Sequence, residues 1–194
     1  MAVRDPRAAL SLLAMTQKRM GGGVSAFELI HKQGLDFLSE TLPDVRQPFA
    51  EKPEWMVLID VGLAQGLDPA SALEALFSEA SEAGLVSDGV IAQSQSQRQQ
   101  FWALRENIPE ANRRIGSVSS HDISVPLSAI PAFIERGNQA IAQLGSFRVN
   151  CFGHVGDGNL HYNVFPVDGK SRADHEHQRE DIKRTVHDLV HDMG

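Results

Sequence analysis

The sequence has a single cysteine, Cys151, among its 194 residues, so no internal disulfide can form. A reducing, intracellular compartment is the simplest interpretation of this cysteine content. Cys151 lies in an apolar run, which predicts a buried structural thiol and not a nucleophile. We therefore expect a cytoplasmic protein, or one held peripherally at the inner face of a membrane.

Long apolar runs and clusters of basic residues are also missing. The most apolar segment, 56–61, is short and contains Asp60, whereas a membrane helix needs ~20 apolar residues. Residues 1–6 lack the basic and apolar regions of a signal peptide. The net charge is −7 and Lys and Arg are scattered, which argues against nucleic acid and anionic membranes as partners.

No nucleotide-binding loop is present. No Gly-x-Gly-x-x-Gly follows a predicted strand, and there is no Walker loop. The chain therefore has no visible means of holding a dinucleotide by itself. Its length suits one domain, and its 42% hydrophobic residues are enough to build an ordinary globular core.

Hydrophobic periodicity predicts a mixture of helices and strands. The two kinds of element interleave, and a hairpin is expected near the C-terminus. We predict an α+β fold, an antiparallel sheet with helices packed on one face in a ferredoxin-like arrangement. The predicted helices are 7–20, 35–42, 69–84, 94–112, 128–145 and 174–193, and the strands are 24–30, 55–61, 85–92, 121–125, 147–152 and 160–165.

The most informative segment lies between the last two predicted strands and reads His-Val-Gly-Asp-Gly-Asn-Leu-His from 154 to 161. Its Asp157-Gly158 pair favours a two-residue hairpin turn, because such turns need positive φ angles. That turn would place His154 opposite His161, with Cβ atoms ~5 Å apart. Two imidazoles so placed can share a divalent metal, although two ligands do not complete a site. An open, glycine-rich loop with two exposed histidines fits the same residues.

Three segments resemble one known family, the C-terminal domain of FAD-linked oxidases. Residues 150–163 resemble its signature, residues 101–111 its helix with a substrate-binding arginine, and residues 121–126 the strand that follows. They occur in the family order, and the resemblance covers most of the chain, with the first third matched only loosely. The family includes D-lactate dehydrogenases, D-2-hydroxyglutarate dehydrogenases and the flavin subunit of glycolate oxidase.

The resemblance implies a flavin-dependent enzyme that oxidises a D-2-hydroxy acid to the 2-oxo acid. Residues 1–194 would form its substrate- and metal-binding cap domain, and FAD would be held mainly by a domain in cis that this chain lacks. His154 and His161 would bind a divalent metal, Zn²⁺ or Mn²⁺. The family's third ligand is a glutamate in a Glu-His-Gly segment, which we expect after Gly194. The isolated chain is therefore expected to be inactive.

The resemblance also assigns roles in binding the substrate. Arg105 would bind the carboxylate, which a guanidinium matches well, and Asn163 would hydrogen-bond the substrate. Asn159 is a weaker candidate for substrate binding than Asn163, because it could instead adopt the left-handed backbone of the turn. No residue is assigned to catalysis with certainty. From the residues alone, Arg105 is more simply a surface arginine paired with Glu106 or Glu110.

Two positions depart from the family pattern. Ser120 stands where the family often has lysine, and Pro109 where some 2-hydroxyglutarate enzymes have threonine. In the family, both positions are associated with binding a second carboxylate of the substrate. The absence of that lysine and threonine argues against 2-hydroxyglutarate in particular, so the substrate stays open among the lactate, 2-hydroxyglutarate and glycolate classes. The electron acceptor and a homodimeric assembly are open as well.

Two other functions fit the same residues. A stand-alone metal-dependent hydrolase would need a third ligand within the chain, such as Asp157 or Asp122. A non-catalytic binding module would need none. His187 and His191 resemble a zinc-protease motif, but we interpret them as solvated residues of an amphipathic helix. Glu28 is either a buried functional acid or an edge residue, and the sequence does not decide between them.

Overall fold

The computed structural model describes all 194 residues and contains one seven-stranded sheet. Its order is β4-β1-β3-β2-β6-β7-β5, and every neighbouring pair is antiparallel. The strands are β1 (Ala2–Val3), β2 (Val24–His31), β3 (Trp55–Val61), β4 (Val86–Asp88), β5 (Ser119–Ser124), β6 (Phe147–His154) and β7 (Asn159–Pro166). The α+β class and the antiparallel sheet predicted from the sequence are confirmed.

Six α-helices accompany the sheet: α1 (Pro6–Met20), α2 (Lys32–Thr41), α3 (Pro69–Glu82), α4 (Gln95–Ile115), α5 (Ile130–Leu144) and α6 (Arg179–Met193). The helix after Asp68 begins as the sequence predicts, because the Asp68 carboxylate accepts hydrogen bonds from the backbone N–H groups of Ala70 and Ser71. Pro69 occupies the first helical turn, where its missing N–H costs nothing. None of the helices is long and apolar enough to cross a membrane.

Helices cover both faces of the sheet. Leu29 and Ile30 are neighbours in β2 and point to opposite faces, and each lies in a separate hydrophobic cluster. The larger cluster, with Leu29, contains buried residues of α1, α3, α5 and α6. The smaller, with Ile30, contains buried residues of α2 and α4. The helical layer expected on one face is thus joined by a second, because α2 and α4 carry apolar stripes of their own that must be buried.

The two halves of the sheet meet where β2 pairs with β6. Only Glu28, Leu29 and Ile30 take part in this pairing, opposite residues 152–154. Cys151 lies next to this junction and is buried, as predicted, and its burial raises the pKa of the thiol. The junction brings a buried acid of β2 beside the end of β6, and the candidate site is built around this contact.

Candidate functional site

The candidate site lies on the sheet face covered by α2 and α4. Glu28 of β2 is paired with His154 of β6, and Phe152 of β6 is paired with His161 of β7. Opposed residues share a face, and so do residues two apart on a strand. The side chains of Glu28, Phe152, His154 and His161 therefore all project toward the same side, on three adjacent strands.

The predicted hairpin register is wrong. His161 lies opposite Phe152, and His154 is not directly opposite it. Four residues connect the strands, a 3₁₀ turn at Val155–Asp157 followed by Gly158 in the left-handed region at φ 79°. The two-residue turn would need positive φ at Asp157 as well, but no residue other than glycine has positive φ here. The two histidines share a face as diagonal neighbours.

Arg105 of α4 reaches down to this face. Its Nε donates to Glu28 Oε2 at 2.7 Å, and its guanidinium carbon lies 4.7 Å from the centroid of the Phe152 ring. The side chain is only 9% exposed, yet its terminal nitrogens make no hydrogen bond to the protein and are not enclosed. The surface pairing with Glu106 or Glu110 considered from the sequence does not form, because Arg105 pairs with Glu28 instead. Glu110 accepts from Arg113 and Arg114.

Each histidine has a carboxylate near its Nδ1 atom. His154 Nδ1 contacts Glu28 Oε1, and His161 Nδ1 lies 3.7 Å from Asp122 Oδ1, too far for a hydrogen bond. Burial lowers the pKa of His161, Asp122 opposes this effect, and Arg105 and His154 add to it. A lowered pKa favours the neutral imidazole, which is the form that binds metals.

The two asparagines differ in what they leave free. The Oδ1 of Asn163 accepts from the backbone N–H of His121 at 3.1 Å, and its amide nitrogen donates to no protein group. The amide of Asn159 donates to Asp122 Oδ1 at 2.7 Å, and its backbone N–H donates to Asp157 Oδ1. Asn159 thus stabilises the turn, whereas Asn163 retains donors for a ligand. This favours Asn163 for the substrate role, which stays a prediction.

An open pocket of about 430 Å³ lies between α4, β5 and β7, on the sheet face that carries the two histidines. Phe152, His161 and Asn163 line its inner end. Pro109 and Ser120, the two departures from the family pattern, line it as well. Only one of the ten residues that line the pocket, Phe152, is hydrophobic, so polar side chains are available to a small ligand.

A second cavity, of about 280 Å³, lies on the same sheet face beside β3 and the first half of α4. Its lining is mostly apolar, and its charged residues, Asp60 and Arg98, pair with each other. Trp102 also donates to Asp60, at 2.8 Å. With no histidine and no free charge, this cavity offers no acid–base or metal chemistry, and the candidate site stays at Arg105, His154 and His161.

The sequence left Glu28 undecided between a buried acid and an edge residue, and the structure places it in β2, an interior strand of the sheet. Its exposure is 0%, and it contacts both Arg105 and His154. The available signal was one acid inside the apolar run Phe27-Glu28-Leu29-Ile30. An acid in the middle of a buried strand needs a partner, but the partner, Arg105, lies 77 residues away in sequence.

The predicted metal site has two suitable imidazoles but lacks a third ligand. Two imidazoles with carboxylates at Nδ1 are a suitable donor pair for a transition metal. No group of three His, Cys, Asp or Glu side chains in the chain could hold a metal ion. Asp122 and Asp157, the third ligands that a stand-alone hydrolase would use, therefore do not complete a site with the histidines. The structure therefore does not show a metal site: His154 and His161 share a sheet face, and no third ligand accompanies them.

Comparison with known proteins gives a consistent result. The family model described as "FAD linked oxidases, C-terminal domain" matches residues 1–194. A D-2-hydroxyglutarate dehydrogenase of Xanthomonas citri pv. viticola is 39% identical over 153 residues, 78% of this chain and 31% of that protein. The mitochondrial D-2-hydroxyglutarate dehydrogenase of Arabidopsis thaliana is 35% identical over 164 residues, 84% and 29% of the two.

A putative mitochondrial D-lactate dehydrogenase of Schizosaccharomyces pombe is also similar, 31% identical over 172 residues, with 80% of this chain and 31% of that protein covered. The chain thus spans less than a third of the length of the curated relatives that it matches. Relatives whose names place them in mitochondria occur beside bacterial ones, so the predicted cytoplasmic location is not confirmed.

Proposed function

Because the chain belongs to the family of FAD-linked oxidase C-terminal domains, we propose that it is the substrate-binding domain of a flavin-dependent enzyme that oxidises a D-2-hydroxy acid to the 2-oxo acid. The observation that carries this proposal is Arg105. A nearly buried guanidinium, held by Glu28 at 2.7 Å and with free terminal nitrogens, lies beside two histidines on one sheet face. This arrangement suits a small carboxylate that also carries a hydroxyl group.

Arg105 binds the substrate carboxylate in this proposal. Its Nε atom donates to Glu28, so the two terminal nitrogens of the guanidinium remain available to a ligand. Two parallel N–H···O bonds from these atoms would bind the carboxylate and fix its plane. The Phe152 ring, 4.7 Å from the guanidinium carbon, shields the pair from water, which strengthens the electrostatic attraction. The free amide nitrogen of Asn163 donates a further hydrogen bond to the substrate.

His154 and His161 are the proposed metal ligands, with Zn²⁺ or Mn²⁺ as the metal. The Glu28 carboxylate at Nδ1 of His154 leaves Nε2 as the coordinating atom of that ring. Asp122, 3.7 Å from Nδ1 of His161, favours the same orientation there without a hydrogen bond. When bound, the metal would supply a Lewis acid that lowers the pKa of the substrate hydroxyl, FAD would accept the hydride of the α-carbon, and a base outside these 194 residues would take the hydroxyl proton. We propose that the third metal ligand and the FAD-binding domain belong to other parts of a longer protein.

The polar pocket receives the distal end of the hydroxy acid in this proposal. Ser120 and Pro109 line it where the family pattern has lysine and threonine. Arg113 lines the pocket too, but its guanidinium is bidentate with Glu110. Relatives named for D-2-hydroxyglutarate and for D-lactate both match. We therefore keep lactate, 2-hydroxyglutarate and glycolate as substrate classes, while the compartment, the electron acceptor and a homodimer stay open.

Replacing either metal ligand tests the proposal in the longer, flavin-containing protein. We expect His154→Asn and His161→Asn each to lower the rate of D-2-hydroxy-acid oxidation about 1000-fold, because several kcal/mol of charge stabilisation is lost. The bound metal, measured by elemental analysis, should fall in parallel. His191→Asn, which replaces an exposed histidine of α6, is the matched control and should keep full activity.

A non-catalytic binding module is the competing function. It predicts that hydroxy acids bind to the protein, as calorimetry would detect, without any oxidation in the presence of flavin. If the two histidine variants oxidise hydroxy acids as fast as His191→Asn does, the proposed role of the histidines is wrong.

A further inference from the structure

Glu28 is the most deeply buried charged residue next to the candidate site. It lies in the interior of β2 with 0% exposure, paired with Leu58 of β3 on one side and with His154 of β6 on the other. A buried carboxylate costs several kcal/mol unless it is paired and hydrogen-bonded. The partners of the Glu28 carboxylate must therefore offset the cost of burying it, and they indicate its role.

Each oxygen of Glu28 contacts a different side chain of the candidate site. Oε2 accepts from Arg105 Nε at 2.7 Å. Oε1 is buried without a hydrogen-bond partner in the observed geometry, and its one close polar contact is the ion-pair contact with Nδ1 of His154. One carboxylate thus links the proposed carboxylate-binding residue to a proposed metal ligand. The two contacted residues come from different elements, α4 and β6, so Glu28 also fixes their relative positions.

The atoms that Glu28 engages determine which atoms remain available. With Nε of Arg105 engaged, only the two terminal nitrogens can bind a ligand. An ionised carboxylate has acceptors only, so it requires the proton of a neutral His154 to be on Nδ1. The lone pair of the imidazole is then on Nε2, on the side away from the buried carboxylate.

We propose that Glu28 is a positioning residue, which fixes the Nδ1–H tautomer of His154 and the direction of the terminal nitrogens of Arg105. Its significance for catalysis rests on the proposed function, but the tautomer is a property of the chain alone. Carboxylates that orient metal-binding histidines in this way typically change metal affinity or activity 10–100-fold when replaced.

Nitrogen-15 NMR of the histidine rings tests the proposal directly. The chain is labelled at histidine and measured at a pH of about 8.5, where an ordinary histidine is neutral. His154→Asn assigns the signals. We expect the wild-type spectrum to show His154 protonated on Nδ1, with Nε2 giving the shift of an unprotonated nitrogen.

Glu28→Gln is expected to reverse this tautomer. Arg105 can only donate, so it fixes the glutamine oxygen on its own side and turns the amide NH₂ toward His154. Nδ1 must then accept, and the proton moves to Nε2. Glu106→Gln, one residue from Arg105 and exposed, is the matched control and should leave the spectrum unchanged.

An Nε2–H tautomer in the wild-type chain overturns the proposal, whether or not Glu28→Gln folds. An unchanged Nδ1–H tautomer in folded Glu28→Gln overturns it too. In the longer enzyme, Glu28→Gln should lower kcat/KM for the hydroxy acid about 10–100-fold. If the tautomers behave as expected but no hydroxy acid is oxidised by the wild-type enzyme, the proposed function fails and the positioning role of Glu28 stands.

Discussion

Replacing Arg105 with methionine is expected to lower the free energy of unfolding by about 3–5 kcal/mol, because it leaves the buried Glu28 carboxylate without its cation. Glu28 is 0% exposed and Arg105 Nε is its hydrogen-bond donor, at 2.7 Å. Methionine replaces much of the volume of the arginine stem, so the loss of charge pairing dominates the change. Urea unfolding followed by circular dichroism measures it.

Two variants separate this effect from a general loss of packing. Arg113→Met removes an arginine that is 74% exposed and pairs with Glu110, and it should cost less than about 1 kcal/mol. The double variant Glu28→Leu with Arg105→Met removes both charges and should recover most of the lost stability. Equal losses for Arg105→Met and Arg113→Met would contradict the buried ion pair.

Mild acid is expected to destabilise the fold through His121. This residue of β5 is buried, and its ring lies 5.4 Å, centroid to centroid, from that of His187 in α6. Burial lowers the pKa of His121 to about 4, with help from His187 and Lys183. An unfolded chain protonates this histidine near pH 6.5. Between these values only the unfolded state binds the proton, so stability is complete above about pH 6.5 and falls toward pH 4.

The free energy of unfolding is expected to fall by at most about 3–4 kcal/mol, from 1.36 kcal/mol for each unit between the pKa values of the unfolded and folded states. His121→Phe should flatten this part of the pH profile, since the ring is kept and the Nε2 atom that it removes has no hydrogen-bond partner. The exposed His177→Phe is the control and should keep the wild-type slope. Unfolding free energies at pH 7, 5.5 and 4.5 compare the three proteins. A profile in His121→Phe as steep as in the wild type would refute the assignment.

Local patterns predicted much of the fold. The strand at Trp55–Val61 follows from a run of apolar residues, and the start of α3 follows from the Asp68-Pro69 cap. Arg105 was found through family resemblance, whereas the hairpin motif already pointed to His154 and His161, and the structure brings the three residues to one face. Spacing alone would have treated Arg105 as a surface residue.

The remaining features depend on contacts that a local pattern does not encode. The hairpin was predicted two residues out of register, because Asp157-Gly158 suits both a two-residue turn and the observed 3₁₀ turn with only Gly158 left-handed. Helices at 35–42 and 94–112 were predicted, but their position on the second face of the sheet was missed, because periodicity reveals the apolar stripes of α2 and α4 and not which sheet face buries them. The two partners of Glu28 lie in α4 and β6, far from β2 in sequence, so only the folded structure reveals them.

Anaerobic reduction of the flavin in the longer protein tests the central claim, that Arg105 binds the carboxylate of a D-2-hydroxy acid. We predict that a D-lactate, D-2-hydroxyglutarate or glycolate panel contains an acid that bleaches the flavin absorption, and that the matching alcohol without the carboxylate does not. Arg105→Lys, which keeps the charge but loses the fork, should slow the reduction about 100-fold or more, at unchanged flavin content. Bleaching by the alcohol as fast as by the acid, or an unaffected Arg105→Lys enzyme, would contradict the account.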